Sequence, residues 1–380
     1  MTAIATEEIT PFTTPVDSDA LSDLRDRLAR TRWSPREVVD DWSQGVPLST
    51  IQSLCAYWAD GYDWPARAAL LDRHSQFRTT IDGIGIHFVH VRSPIDDAMP
   101  LVLSHGWPGS IVEFQDVIGP LTDPVAHGGD PSDAFHVVCP SLPGYGWSDA
   151  PTIPGIGVQW IADAWSTLMA RLGYDRFFAQ GGDWGSMVTS SLGERDPDHV
   201  AGIHLNMPIV IPSTEAETDE ELDAAESRSQ FQKFDSGYMK LQSTRPQTLG
   251  YGLTDSPAGC AAWIVEKLWS WSENGGDLNR CFTDDQILDN VMLYWLSGTS
   301  TTSARLYWEI QQALYLPVPT VPVGCTIFPG EMTRTSRRWA EAFYPDLRYF
   351  NVTLQGGHFA AWEQPDLFVD EIRACFRTMR

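Results

Sequence analysis

The stretch RFFAQGGDWGS, residues 176–186, decides how the rest of the chain is read. A short apolar run leads into Gly181, Gly182, Asp183, Trp184 and Gly185, and a helical stretch follows. Small residues around one polar residue let a chain leave a strand, turn sharply and enter a helix with that side chain pushed out of the sheet. The pattern is that of a nucleophile elbow, G-x-Nu-x-G, whose usual occupant is serine. Here it is Asp183. Taken alone, an Asp at a helix start reads as an N-cap, and only its surroundings can overrule that reading.

Outward from the elbow, strand and helix alternate. MPLVLSHGWPGS (99–110) and AFHVVCPSLPGYGWS (134–148) are strands that end in glycine-rich loops. Val158, Ile161, Ala162, Trp165, Leu168 and Met169 follow at helical spacing, and VAGIHLNM (200–207) is a further strand. The alternation predicts a parallel, doubly wound α/β sheet with polar groups on loops at the carboxyl ends of its strands. Before it, residues 1–95 form a meander. Leu21, Leu24 and Leu28 share one helical face, Ile51, Leu54, Cys55 and Trp58 another, and residues 77–93 read as a hairpin about Asp82-Gly83. Residues 211–317 break the rhythm with an acidic run (213–230), taken as a solvated helix face, and aromatic-rich helices. PVGCTIFPG (322–330) and LRYFNVTL (347–354) then resume the strands. The predicted organisation is a meander over 1–95, a first core segment over 96–210, a helical lid over 211–317 and a second core segment over 318–380.

Of the 380 residues 43% are hydrophobic and 20% charged, the balance of a globular protein. No apolar run approaches the roughly 18 residues of a membrane span. The beginning MTAIATEEITPFTT has neither a basic nor an apolar leader region, so a cytoplasmic protein without a membrane anchor is expected. Fifty acidic against 26 basic residues, a formal charge of −24, disfavour nucleic acid and anionic membranes and leave a neutral small molecule as the easiest partner. Six scattered cysteines without a C-x-x-C pair suit buried thiols, and neither a metal nor a cofactor is expected. A homodimer is left open.

Three residues fall in the order nucleophile, acid, histidine at predicted strand ends: Asp183, Glu331 after CTIFPG, and His358 in GGHFAAWEQP. That is the chain order of α/β-hydrolase triads. A serine attacking an sp³ carbon would leave an ether that a hydrolase site cannot readily undo. An aspartate gives an alkyl ester, which an activated water can hydrolyse. The carboxylate therefore points to epoxides or alkyl halides and away from esterase or peptidase chemistry. His358 would deprotonate the water, Glu331 would orient the imidazole, and the backbone N–H groups of Trp107 and Trp184 would form the oxyanion hole. A cis Trp107-Pro108 bond would suit that loop. A departing halide wants N–H donors such as the Trp107 and Trp184 indoles, whereas a departing alkoxide needs an acid. Tyr238 and Tyr307 could supply it. Tyr251 and Tyr294 are read as packing residues. Trp107, Trp184 and Trp147 would line an apolar substrate pocket.

HGWPGS, PSLPGYGWS, GGDWGS, SGYMKLQSTRPQTLGYGLTDSPAG, AAWIVEKLWSW, NVMLYWLSGT and GGHFAAWEQP together resemble the microsomal-type epoxide hydrolases and their bacterial relatives. The likeness extends to RWSP, DWSQGVPL and YDW and covers nearly the whole chain. It implies an α/β-hydrolase fold with the meander wrapping the lid, and hydrolysis of lipophilic epoxides to vicinal diols. It places the nucleophile on Asp183, the orienting acid on Glu331, the base on His358 and the lid tyrosines on Tyr238 and Tyr307. The hydrophobic anchor of membrane-bound relatives has no counterpart here, so membrane attachment is not part of the expectation.

Overall fold

The computed structural model describes residues 8–212, 214–313 and 315–380. The expectation of a leader-free start falls partly on residues 1–7, and that of the acidic run and lid partly on residues 213 and 314, all outside the described residues.

Among the described residues nine strands form one sheet, in the order β1-β2-β3-β5-β4-β6-β7-β8-β9. They are β1 (Thr10–Phe12), β2 (Gln76–Ile81), β3 (Ile84–Val91), β4 (Met99–Ser104), β5 (Phe135–Pro140), β6 (Phe177–Gly181), β7 (Val200–Leu205), β8 (Val323–Ile327) and β9 (Leu347–Val352). From β5 onward every pairing is parallel, while β1, β2, β3 and β5 pair antiparallel. The sequence explains the division. β6, β7 and β8 are buried along their whole length, as strands covered by helices on both faces must be. β2 and β3 are joined by two residues with positive φ, Asp82 at 48° and Gly83 at 82°, a turn whose twist matches an antiparallel hairpin. The N-terminal meander thus contributes three strands to the sheet that carries the elbow.

The helix Val158–Arg171 buries Ile161, Ala162, Trp165, Leu168 and Met169, the stripe its spacing predicts. Its Trp165 indole donates to Ser104 Oγ at 3.0 Å, so the polar edge of this buried ring is satisfied at the carboxyl end of β4. Between β7 and β8 the chain leaves the sheet for a set of helices, among them Asp219–Gln230, Gly237–Thr244, Pro257–Trp271, Asp284–Ser297 and Ser300–Ala313.

The acidic run needs a correction. Most of the helix Asp219–Gln230 is solvated, but Glu221 is buried. Its carboxylate accepts from Arg338 Nε at 2.8 Å, Arg338 Nη2 at 2.7 Å and Ser336 Oγ at 2.9 Å. It also closes a capping box with Thr218. These bonds, led by that from Arg338, hold the carboxyl well below its usual range. One residue of a charge run thus docks the inserted helices onto the segment after β8.

A second anchor joins the insertion to the meander. Asp289, 4% exposed, accepts from Tyr62 Oη at 2.8 Å and from Arg67 Nε at 2.9 Å, while Tyr57 Oη donates to the neighbouring Asp285 at 2.7 Å. Removing one member of a buried ion pair strands the other charge, at a cost of about 3 kcal/mol or more. Arg67→Ala is therefore expected to lower stability by about 3 kcal/mol in urea unfolding, and Asp289→Asn, which removes the stranded charge as well, should recover part of that loss in the double variant.

Candidate active site

The elbow forms because its backbone is forced into it. Asp183 has φ 51° and ψ −126°, a conformation that non-glycine residues rarely adopt and that persists only where the surroundings over-determine it. They do so here. A Cβ on Gly185 would run into the carbonyl oxygen of Ser104, and one on Gly106 into the Asp183 side chain. Asp183 sits at the N-cap position of the helix Trp184–Arg195 yet makes no side-chain capping bond. The N-cap reading therefore fails, and the carboxylate points elsewhere.

It points at two backbone donors and a histidine. The N–H of Trp107 donates to Asp183 Oδ1 at 2.8 Å, and the adjacent N–H of Trp184 also favours the ionised carboxylate. His358 Nε2 lies 3.5 Å from Asp183 Oδ2, and its Nδ1 is 2.9 Å from Glu331 Oε2. Glu331 and His358 are 2% and 6% exposed. Burial pushes the Asp183 carboxyl up, against the pull of His358 and the two N–H groups. For His358 burial favours the neutral ring, but the Glu331 charge and hydrogen bond, with Asp183 and Glu113, outweigh it and raise the imidazole to about 9. The Trp107-Pro108 bond is cis.

The roof is aromatic. The Trp107 ring stacks on Tyr238 at 4.9 Å and 9°, and Tyr307 stands edge-on to Trp107 at 5.9 Å and to Trp184 at 4.6 Å. Tyr238 and Tyr307 lie 5.8 Å apart at 82°, near enough for each hydroxyl to affect the other's ionisation. Burial, chiefly, raises both phenols well above their usual value. Neither the Tyr307 hydroxyl nor the Trp184 indole N–H has a well-formed hydrogen bond among the described residues. A buried polar atom left without a partner marks a place where something else can bind.

The structure thus gathers Asp183, Glu331, His358, Trp107, Trp184, Tyr238 and Tyr307 into one site. Trp147 stands apart: its ring lies 6.1 Å from Phe12 of β1, because the loop after β5 turns it toward the sheet edge. Tyr294 is buried and donates to the Gly109 carbonyl at 2.7 Å. Tyr251 is 71% exposed and does not pack, because its helix turns that side outward. Two residues that sequence reasoning missed complete the site. Trp271 packs its ring 5.1 Å from Tyr238 and 5.0 Å from His358, and its carbonyl accepts the His358 N–H at 2.9 Å. Glu113 lines a small cavity together with Asp183 and His358. In sequence Trp271 is one of three tryptophans within AAWIVEKLWSW, and Glu113 completes an S-x-x-E that reads as a helix cap.

A parallel sheet extended by an antiparallel edge, with an aspartate on the elbow after β6, makes the chain an α/β hydrolase. The family profile described as alpha/beta hydrolase fold matches residues 99–241, and that described as Epoxide hydrolase N terminus matches residues 9–114. A protein of Stigmatella aurantiaca, provisionally named an epoxide hydrolase, is 51% identical over 98% of this chain and 86% of its own length. Epoxide hydrolase 1 of Sus scrofa is 35% identical over 97% of this chain and 88% of its own. The crystal structure of juvenile hormone epoxide hydrolase from Bombyx mori superposes with a TM-score of 0.87 at 31% identity, covering 99% of this chain and 95% of that one. The chain belongs to the epoxide hydrolase family. No helix among the described residues is long and apolar enough to cross a membrane.

The charge of Glu331 is what lifts His358 against its burial, so removing it should have a definite sign. In Glu331→Gln the His358 imidazole is expected to titrate well below about 9, as followed by NMR of the ring protons. An unchanged titration would mean that Glu331 holds the ring without stabilising its charge.

Proposed function

We propose that the chain opens lipophilic epoxides to vicinal diols through an ester on Asp183. The observation that carries this reading is the pair of buried phenols, Tyr238 and Tyr307, set over an elbow carboxylate, with the Tyr307 hydroxyl free to bond a ligand. Asp183 attacks a ring carbon and the C–O bond breaks. The phenols hydrogen-bond the departing oxygen and pass a proton to it, and the proton that His358 gives up on loss of the Asp183 charge restores the phenol. Their raised pKa keeps them protonated, and therefore donors, at neutral pH.

Esterification removes the Asp183 charge. That charge is one of those holding a proton on His358, so its loss shifts the imidazole toward the neutral form that can act as a base. His358 then takes a proton from water, the water oxygen bonds to the Asp183 carboxyl carbon, and the N–H groups of Trp107 and Trp184 hold the resulting oxyanion. On collapse the ester C–O bond breaks, the leaving alkoxide takes the proton from His358 to complete the diol, and the hydrogen left on the Asp183 carboxyl passes to His358, which restores the carboxylate and the imidazolium. The helices of residues 211–317 act as the lid that keeps this site dry. The apolar roof of Trp107, Trp184 and Trp271 suits a lipophilic substrate. A haloalkane would use the indoles but would leave two buried phenols without a role.

A single turnover of styrene oxide in H₂¹⁸O with enzyme in excess tests the route. Label in the Asp183 carboxylate and unlabelled oxygen in the diol are expected, whereas label in the diol would mean direct attack by water. Asp183→Asn should abolish turnover. Tyr307→Phe should slow ring opening by roughly 10²-fold with little effect on decay of the ester, read by rapid quench.

A further inference from the structure

A cation is buried beside the phenols. Lys267, on the helix Pro257–Trp271, is 4% exposed, and lysine is almost never fully buried unless it is paired. Its Nζ lies 4.8 Å from the centre of the Tyr238 ring and 5.4 Å from that of Trp271. Asp235 holds it there. One carboxylate oxygen of Asp235 pairs with Nζ, and the Asp235 carbonyl accepts from it at 3.4 Å. The other carboxylate oxygen accepts from the Trp271 indole and from Ser270 Oγ at 3.1 Å. Glu266 Oε2 lies 2.8 Å from the same Nζ. Asp235 ends the turn Phe231–Asp235, just before the helix Gly237–Thr244 that carries Tyr238, so ammonium and phenol ring are set against each other through a short length of chain.

We propose that Lys267 is a positioning residue for ring opening that acts through Tyr238, its ammonium stabilising the phenolate that Tyr238 becomes on passing its proton to the epoxide oxygen. The proposal rests on the reading of Asp183 as a nucleophile toward epoxides. In the step concerned, an Asp183 oxygen bonds to the ring carbon and the carbon–oxygen bond of the epoxide breaks. The O–H bond of Tyr238 breaks with it, the proton goes to the leaving oxygen and the electron pair stays on the phenol. The proton that His358 gives up then restores Tyr238. Between the two transfers the negative charge spreads from the phenolate oxygen into the ring, where the ammonium meets it. Lys267 neither gains nor loses a proton.

The surroundings of the two phenols set them apart. Among the described residues no lysine or arginine stands over Tyr307, whose ring neighbours are Trp107, Trp184 and Tyr238. On this assignment Tyr238 gives up the proton and Tyr307 hydrogen-bonds the oxygen. Burial and the Asp183 charge raise the Tyr238 phenol, and Asp235 adds to them. Esterification removes the Asp183 contribution as the proton leaves. The Asp235 charge that remains is the one that Lys267, Trp271 and Ser270 cover. Loss of the ammonium would take a cation from the ring and uncover an anion beside it, and both changes oppose a phenolate.

The test compares wild type with Lys267→Met and Lys267→Gln in rapid-quench single turnovers of styrene oxide, with ester formation and decay followed by the mass of the Asp183 peptide. Each substitution is also made in Tyr238→Phe, where Tyr307 alone assists the oxygen. Lys267→Met keeps the apolar stem without the charge. Lys267→Gln keeps a donor for Asp235 as well, so it carries the test if the first variant does not fold. Both are expected to slow ester formation roughly 10- to 30-fold, the worth of a desolvated cation at an aromatic face, and to leave ester decay at the wild-type rate. In Tyr238→Phe, which has no phenolate to stabilise, the same substitutions should change ester formation by less than about 2-fold. A lysine that only braced the lid would slow formation in either background. Slowing of equal size in Tyr238→Phe therefore overturns the proposal, as does formation at the wild-type rate in either variant or a slowing of decay that matches that of formation. A wild-type enzyme that forms no ester would instead overturn the reading of Asp183 on which the proposal rests.

Discussion

A carboxylate that must stay ionised while buried is the constraint on which this structure turns. Taking a charged group out of water is costly unless hydrogen bonds and an opposite charge replace the solvent. Asp183 receives the N–H groups of Trp107 and Trp184 and the imidazole of His358. Placing those three around one carboxylate requires the positive φ of the elbow, the missing side chains of Gly106 and Gly185, and two loops brought together from β4 and β6. The strain at Asp183 is thus the local counterpart of a demand made by its charge.

That demand reaches into the inserted helices, because the Trp107 loop does not stand alone. Asn290 Nδ2 donates to the Pro108 carbonyl at 2.7 Å and its Oδ1 accepts from Ser110 Oγ at 2.7 Å, while Tyr294 donates to the carbonyl of Gly109. Three consecutive residues of the loop are held by one helix, Asp284–Ser297. The same helix carries Asp289, through which Tyr62 and Arg67 of the meander grip it. The Trp107 loop, whose N–H bonds Asp183, is in this way tied to the N-terminal segment through a buried helix. This helix is not a free door over the site. Among the described residues the helices carrying Tyr238 and Tyr307 make no comparable hydrogen bonds to that loop.

What could be read in the sequence divides along the same physical line. Alternation of strand and helix, the helix stripe around Trp165, the Asp82-Gly83 turn and the order of Asp183, Glu331 and His358 are local patterns, and local patterns survive in one dimension. The identity of a side chain's neighbour does not. Trp147 follows a site-forming strand but faces Phe12, and Tyr251 lies within a lid motif but faces solvent. Glu221 sits in an acidic run that reads as solvated surface, and only the arrival of Arg338 from beyond β8 makes it a buried anchor. Glu113 is the sharpest case. Its spacing from Ser110 satisfies a capping pattern, and Ser110 does accept the Val112 N–H at 3.2 Å, so nothing local separates a cap residue from one turned into a cavity.

Four ionisable groups share the site's interior, and their charges cannot be assigned one at a time. Asp183 and Glu331 both favour the imidazolium form of His358, and His358 in turn favours both Asp183 and Glu113 as anions. With Asp183 free, a protonated His358 balances it, and the carboxylate is kept ionised and ready to attack. With Asp183 esterified, that balance is gone and the ring is left facing Glu331 and Glu113. A fully charged Glu113 would then replace the lost anion and hold the proton on the base when it has to be absent. Burial, which raises Glu113 to about 8, prevents this near neutral pH. Glu113 is thus kept from adding to the charges that hold the proton on His358. In the proposed cycle one histidine stabilises the nucleophile in the first half and, having given up its proton as the Asp183 charge is lost, serves as a base in the second.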